Sequence, residues 1–188
     1  MAYEYTPLNE SLCEIRLLTL LPGEPDDALQ GTLENHSLAP NAHPPLFEAL
    51  SYFWGNPPAI LIDAHPLPIA DNLNIALHHL RLRNAKRLLW IDAICINQQD
   101  IPERNWQVLA MDAVYSRADL VVVWLGPADA QTDAAMDLMG AVAAETLLDP
   151  VALESAEAQA YPEACPSDCY IDIECLLDRP WWRRLWIV

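Results

Sequence analysis

Hydrophobic positions in the first half of the chain form short runs that predict β-strands. Residues 14–21 and 29–38 predict two strands joined by a proline- and glycine-containing loop. Residues 46–55 predict a third strand, rich in aromatic side chains. The apolar runs 59–62 and 67–69 flank a short polar turn and predict a small exposed hairpin. Prolines in this hairpin restrict it to an edge of the sheet.

The second half of the chain predicts a helix, a strand, a second helix and a further strand. A helix over 72–83, capped by Asp71, places four apolar side chains on one face, namely Leu73, Ala76, Leu77 and Leu80. The apolar run that begins at Leu88 predicts a buried strand. It leads through a polar loop to a helix over 101–117, whose predicted inward residues are Val108, Met111, Val114, Tyr115 and Ala118. Residues 119–126 predict another buried strand, and two such strands joined through a helix indicate a parallel sheet.

The last sixty residues differ in composition from the rest. Residues 129–160 are rich in alanine and acidic side chains and predict one or two helices, whereas residues 161–178 look irregular. The sequence stops inside a segment dense in tryptophan and arginine, so we interpret it as truncated there. We expect one domain over residues 1–188 with four parts: N-terminal strands and loop (1–45), core (46–128), acidic insertion (129–178) and closing segment (179–188).

Charge narrows the classes of function. The formal net charge is −17, with 27 acidic and 10 basic residues, and Arg16 is the one basic residue before position 81. Nucleic acids and anionic membrane surfaces require a basic patch, so we expect neither as a partner. The five cysteines are an odd number and no secretion signal precedes them, which favours a cytoplasmic protein with reduced thiols.

Candidate chemistry centres on the end of the run that begins at Leu88. Asp92 lies inside this apolar run, where a carboxylate is costly unless it lies at a strand end or has a partner. Asp100 and Glu103 have the spacing of a helix capping box. Phosphate-binding glycine loops, nucleophile elbows and zinc-protease motifs are absent from the sequence, and no metal site is indicated.

Polar residues at the predicted strand ends could converge at one edge of a parallel sheet, where ligands usually bind. The set near the carboxyl end of residues 46–55 comprises Ser51, Tyr52, Trp54 and Gly55. The set in and after the run from Leu88 comprises Asp92, Asn97, Gln98, Glu103, Arg104 and Gln107. Two interpretations stay open at this point. The residues could line a small-molecule pocket, or they could form a structural network in which Asp92 pairs with Arg104 and Trp54 packs in the core.

Several motifs, in the same order along the chain, resemble the HET (heterokaryon incompatibility) domain of filamentous fungi. They are Ala49-Leu50-Ser51-Tyr52-Phe53-Trp54-Gly55, Asn72-Leu73, Leu89-Trp90-Ile91-Asp92-Ala93-Ile94-Cys95-Ile96-Asn97-Gln98, Glu103-Arg104, Gln107-Val108, Val123-Trp124-Leu125-Gly126 and Arg179-Pro180-Trp181-Trp182-Arg183-Arg184-Leu185-Trp186. The resemblance adds Asn72 and Cys95 to the candidate residues. It covers nearly the whole chain, with a looser stretch over 129–178.

The resemblance implies a role in fungal nonself recognition that ends in programmed cell death. The HET domain in turn resembles the TIR fold, which implies a flavodoxin-like, three-layer α/β fold with a mostly parallel sheet, here with an N-terminal β-hairpin extension. Implied partners are other HET, TIR-like or sensor domains, or a second copy of the chain.

Some TIR domains cleave NAD with a glutamate in a tryptophan-containing segment, and this chain stops at Val188, before any such residue. The resemblance implies a TIR-like NAD glycohydrolase as the alternative function, with NAD as substrate. Because the expected glutamate would lie beyond Val188, this truncated chain is either inactive or uses Asp92 or Glu103 as the general base.

Overall fold

A computed structural model of the chain describes residues 3–53, 59–148 and 168–183. The chain divides into two compact units, residues 1–125 and residues 126–188. The first unit contains the sheet and most of the hydrophobic core. In the described part of the chain, no helix has both the length and the apolar character needed to cross a bilayer.

A seven-stranded mixed sheet forms the centre of the first unit. Its strands are β1 (Glu14–Leu20), β2 (Gln30–Ser37), β3 (Glu48–Tyr52), β4 (Ala59–Ile62), β5 (His65–Pro68), β6 (Arg87–Trp90) and β7 (Leu120–Trp124), in the order β5-β4-β2-β1-β6-β3-β7. Strands β1 and β3 are almost completely buried, because neighbours flank them on both sides. This arrangement confirms the α/β class.

The sheet is less parallel than the sequence suggested. Strand β3 runs parallel to β6 and β7, and β2 runs parallel to β4. The pairs β1–β2, β1–β6 and β4–β5 are antiparallel. The predicted N-terminal hairpin exists as β1–β2, but it is not an extension, because β1 occupies the middle of the sheet.

Helices α1 (Asp71–Leu80) and α3 (Ile101–Arg117) lie on opposite faces of the sheet. Trp90 pairs with Ala49 of β3, and Trp124 pairs with Tyr52. Side chains alternate between the two faces along a strand, so the two tryptophans project from opposite faces of the sheet. The ring of Trp90 contacts Tyr115 of α3 with centroids 5.7 Å apart, and the ring of Trp124 contacts His79 of α1 at 5.1 Å. The predicted bounds of α3 are confirmed, and α1 ends three residues earlier than predicted.

The apolar run from Leu88 is not one strand. Strand β6 ends at Trp90, and a single helical turn, α2 (Asp92–Cys95), follows it. Every isoleucine of this run, like Cys95, is buried. A short run buried on all sides has no periodicity that separates strand from helix, which explains the error.

Three further predictions of burial are wrong. The β4–β5 hairpin is not wholly exposed, because β4 lies inside the sheet and the side chains of Ile60 and Ile62 are fully buried. Strand β7 is an edge strand, with Leu120 53% exposed. Val108 of α3 is 53% exposed, because the inward face of the helix begins instead with the polar residues Glu103 and Gln107.

The second unit contains α4 (Ala130–Leu148), α5 (Asp168–Leu177) and a 3-10 turn (Pro180–Arg183). Helix α4 confirms the predicted helical insertion as far as residue 148, and residues 149–167 lie outside the described ranges. Part of the stretch predicted to be irregular forms helix α5. In this helix Leu176 is buried, and half-buried residues lie one helical turn before it, so one face of the helix is covered.

Arg179, which follows α5, binds the segment that precedes α4 in this second unit. The guanidinium of Arg179 donates to the carbonyl of Pro127 at 3.0 Å and to the carboxylate of Asp129 at 2.6 Å. Gly126, with φ of +118°, lies so close that an added Cβ would be 2.5 Å from Nη1 of Arg179. Hydrogen bonds from the backbone and hydroxyl of Thr132, followed by the charge of Arg179, lower the pKa of Asp129.

The close approach of β1 and β2 leaves no room for a side chain at Gly31. A Cβ there would lie 2.6 Å from Cδ1 of Leu18 and 2.8 Å from the carbonyl oxygen of Thr19. We expect Gly31→Ala to lower the free energy of unfolding by about 1–3 kcal/mol in urea denaturation followed by circular dichroism. Gly140→Ala is the matched control, because a Cβ at Gly140 meets nothing within 4 Å and removing a helical glycine stabilises by up to about 1 kcal/mol. Equal midpoints for the two variants would contradict the close contact.

Candidate functional site

A buried ion pair between β1 and α3 is the best-defined polar feature of the first unit. Nη1 of Arg16 lies 2.7 Å from Oε1 of Glu103, and Nη2 lies 2.9 Å from Oε2. Arg16 is fully buried and Glu103 is 7% exposed. Two parallel charge-assisted hydrogen bonds of this kind fix the orientation of both side chains.

The other polar groups of the pair reach three further segments. Arg16 donates to the carbonyl of Cys95 at 2.9 Å and to the carbonyl of Thr6. Oε1 of Glu103 also accepts a hydrogen bond from the backbone N–H of Asn97 at 2.7 Å. The N-terminal segment, β1, the loop after α2 and the start of α3 are therefore joined at one point.

The loop 97–100 is held by its own polar side chains. Asp100 caps α3 by accepting from the N–H of Glu103 at 3.0 Å, which confirms half of the predicted capping box. The other half is wrong, because the carboxylate of Glu103 is occupied by Arg16 and Asn97. Nε2 of Gln98 donates to the carbonyl of Asp92 at 2.9 Å, so the loop folds back over the start of α2.

Two N-terminal tyrosines close the outer side of this arrangement. The hydroxyl of Tyr5 donates to the carbonyl of Ile94 at 2.9 Å, and its ring faces the guanidinium of Arg16 at 4.8 Å. Burial raises the pKa of Tyr5, so it stays a neutral donor. Tyr3 packs edge-on against Tyr5 with ring centroids 5.1 Å apart.

A groove of about 520 Å³, here called the Asn97 groove, lies between these tyrosines, β5 and the loop. Its described lining residues are Tyr3, Glu4, Tyr5, Pro66, Leu67, Pro68, Ala93, Asn97, Gln98 and Gln99. Nδ2 of Asn97 and Oε1 of Gln98 have no hydrogen-bond partner among the described residues. The groove therefore combines apolar walls with an amide donor and an amide acceptor.

Polar contacts also join the carboxyl ends of β3 and β7. Asn72, in the first turn of α1, donates to the carbonyl of Phe53 and accepts from Nε1 of Trp124 at 2.9 Å. Tyr52 lies level with Trp124 in the β3–β7 register. Asn72 is thus a structural bridge between the two strand ends and α1.

Of the predicted site residues, Asn97 and Gln98 line the Asn97 groove, Glu103 belongs to the buried ion pair, and Asn72 bridges the strand ends. Ser51 lies in β3 and Asp92 at the start of α2, and both are nearly buried, with 8% and 6% exposure. Neither residue lines the Asn97 groove, and nor does Tyr52. Trp54 and Gly55 lie outside the described residues.

The other predicted residues have different surroundings. Gln107 is buried and donates to the carbonyl of Glu14 at 2.7 Å, whereas Arg104 is exposed on α3. Cys95 is buried, and desolvation raises the pKa of its thiol to about 12. A thiol in that state is no nucleophile. Of the two candidate bases, Glu103 has both carboxylate oxygens bound by Arg16.

Arg16, Tyr3 and Tyr5 belong to the site but were not predicted from the sequence pattern. The signal for Arg16 was present, because a single basic residue stands inside an apolar strand and a buried charge needs a partner. The tyrosines gave no such signal, since the segment that holds them has neither strand nor helix periodicity.

The fold and these contacts define an α/β domain with a candidate ligand groove at the edge of its sheet. The family model described as Heterokaryon incompatibility protein (HET) matches residues 47–188. Heterokaryon incompatibility protein 6, OR allele, of Neurospora crassa is 35% identical over 163 residues, covering 78% of this chain and 24% of that protein. The chain belongs to the heterokaryon incompatibility (HET) family, and it spans about a quarter of the length of this curated relative. No solved structure matches it.

Removing one member of the buried ion pair is expected to destabilise the first unit strongly. Arg16→Met leaves the carboxylate of Glu103 buried without its cation, which costs about 3–5 kcal/mol in unfolding free energy. The double variant Arg16→Met/Glu103→Leu should recover most of this loss, as measured in a urea double-mutant cycle.

The exposed pair Arg83–Glu24 supplies the control for this cycle. Its closest atoms are 3.7 Å apart, and its side chains are 68% and 65% exposed. Arg83→Met should change the unfolding free energy by less than about 1 kcal/mol. Similar losses of unfolding free energy for Arg16→Met and Arg83→Met would show that burial does not increase the contribution of the Arg16–Glu103 pair to stability.

Thiol reactivity should separate two described cysteines in the folded chain. Cys13 is exposed, whereas Cys95 is buried with a pKa raised to about 12. With iodoacetamide at about pH 8, Cys13 should be alkylated in the native protein and Cys95 only after unfolding. Peptide mapping by mass spectrometry reads both sites. Native alkylation of Cys95 at the rate of Cys13 would contradict its burial.

Proposed function

We propose that this chain acts in the cytoplasm as an effector module of fungal nonself recognition, where it triggers programmed cell death through self-association or recruitment of a partner domain. Membership of the HET family supports this role, as does a relative whose name records heterokaryon incompatibility. Partners of the expected kinds are other HET or TIR-like domains, a sensor domain, or a second copy.

One structural observation favours recognition over catalysis. Arg16 binds both oxygens of Glu103, and Oε1 also accepts from the N–H of Asn97, so this carboxylate is engaged as an ion-pair partner and is not available as a free general base. Among the described residues, side-chain amide groups without a hydrogen bond lie instead on Asn97 and Gln98, at the Asn97 groove. Amide groups of this kind recognise the N–H and C=O groups of another chain.

The charge of the groove argues in the same direction. Its described lining residues include Glu4 but no lysine, arginine or histidine. A dinucleotide such as NAD carries phosphates, which proteins bind with cations or with helix N-termini. The groove therefore suits an uncharged or basic polypeptide segment better than it suits NAD. Cleavage of NAD with Asp92 as general base remains the alternative hypothesis.

We also propose that the fold is a TIR-like, flavodoxin-like variant. Strands β6, β3 and β7 are mutually parallel, and helices cover opposite faces of the sheet, as in doubly wound α/β folds. The antiparallel strand β1 beside β6 is the departure from an all-parallel sheet.

Expression in a filamentous fungus tests the proposed role. The chain should reduce the viability of the cells, scored by a vital dye, and Asn97→Ala should reduce killing because it removes an amide from the groove without changing the Arg16–Glu103 pair. Arg83→Ala, at an exposed position away from the groove, is the matched control and should kill as the parent chain does. Full viability with a folded, expressed parent chain would overturn the proposal.

An NAD-consumption assay on the purified chain separates the two functions. Recognition alone predicts no turnover for the parent chain or for Asp92→Asn. Turnover that Asp92→Asn abolishes, without loss of thermal stability, would establish the enzyme hypothesis instead.

A further inference from the structure

The two edges of the sheet differ in how they can pair with another strand. Strand β5 forms one edge and β7 forms the other. Natural sheets protect their edges with prolines, charges or short strands, because an open edge pairs readily with another chain. The comparison of these two edges indicates where the molecule is built to accept a strand.

The β5 edge is closed by two prolines. Asp63 and Ala64, with φ of +48° and +63°, form the two-residue turn of the β4–β5 hairpin, so His65 is hydrogen-bonded to Ile62. Hydrogen-bonded and non-bonded positions alternate along such a pair. Pro66 and Pro68 therefore occupy the positions whose N–H groups would point outward, and proline has none to offer.

Within the part of the chain that the structure describes, no proline or charge protects the β7 edge. The strand is Leu-Val-Val-Val-Trp, without proline or charge, and among the described strands it pairs with β3 alone. The N–H of Asp119 bonds to the carbonyl of Phe47 at 2.8 Å, and the register places odd-numbered positions toward β3. The N–H and C=O groups of Leu120, Val122 and Trp124 therefore point to the open edge.

We propose that this edge pairs, antiparallel, with β7 of a second copy across a two-fold axis at Val122. This register is self-complementary, because outward-pointing groups meet outward-pointing groups: Val122 faces Val122 of the second copy, and Leu120 faces Trp124. Val121 faces Val123 at the intervening positions, and these exposed valines (43% and 40%) form a cross-strand apolar pair.

The absence of charge within β7 permits pairing with a second copy, whereas the net charge of the chain makes the association depend on salt. No charged residue lies within β7, so no like charges face each other across the pairing. Each copy carries a net charge of −17, so long-range repulsion opposes the dimer at low salt. Salt screens repulsion between exposed charges beyond about 10 Å at 0.1 M, so the dimer should tighten as salt is raised.

The open edge of β7 would be the surface for the self-association named in the proposed function. The biological use of this dimer rests on that proposed function. Sedimentation velocity over a concentration series, at about 0.1 M and 0.5 M sodium chloride, measures the dimer directly. Val123→Lys places a charge at the pairing and should weaken dimerisation about tenfold or more. Val108→Lys, the matched change at an exposed valine of α3, should leave it unchanged.

Val122→Pro is the second variant, because it removes an outward N–H without removing a hydrogen bond to β3, and circular dichroism checks that it folds. Loss of the dimer in both β7 variants, with Val108→Lys intact, supports the inference. A parent chain that stays monomeric, or a dimer that neither β7 variant weakens, overturns it. Cell viability is scored separately, so a β7 dimer that fails to kill would refute the proposed function and leave this interface standing.

Discussion

The ion pair of Arg16 and Glu103 is the interaction on which the rest of the first unit depends. A charge in the middle strand of a sheet is unfavourable unless it is paired, and here Nη1 and Nη2 of Arg16 are paired, whereas its Nε has no hydrogen-bond partner among the described residues. Glu103 supplies both carboxylate oxygens, the carbonyls of Thr6 and Cys95 take further guanidinium protons, and the ring of Tyr5 covers one face. These contacts hold the N-terminal segment, the start of α3 and the loop between α2 and α3 in one arrangement.

This arrangement also decides what the polar loop can do. Glu103, which by sequence is a candidate base, is committed to structure, and Asp92 is almost covered at the start of α2. What stays accessible are the amides of Asn97 and Gln98, beside two tyrosines and the prolines of β5. A surface of apolar walls with amide groups binds by shape and hydrogen bonding, which agrees with a module that recognises another polypeptide.

Cap and turn signals predicted the elements whose ends they mark. Helix α3 was bounded correctly because Asp100 caps it, although Val108 and Leu109 are exposed on its surface. The strands around Arg16 and Ser51 stand between clear turn signals. Periodicity failed where burial is uniform, as at Ile94 in α2, since a side chain buried on all sides carries no directional signal. It failed too at Gln107, where a polar residue faces the core to bind a backbone carbonyl. The candidate site was found only in part, because Tyr3 and Tyr5 reach it from a segment without regular structure.

The central place of β1 has a consequence for where this domain can be divided. The family match begins at residue 47, yet β1 and β2 lie between β4 and β6 in the sheet. A fragment cut at that boundary would split the sheet into two separate pieces, open new unpaired edges on β4 and β6, and leave the carboxylate of Glu103 in an apolar site without its cation. The unit that sequence similarity delimits is therefore smaller than the sheet, which also includes the two strands β1 and β2.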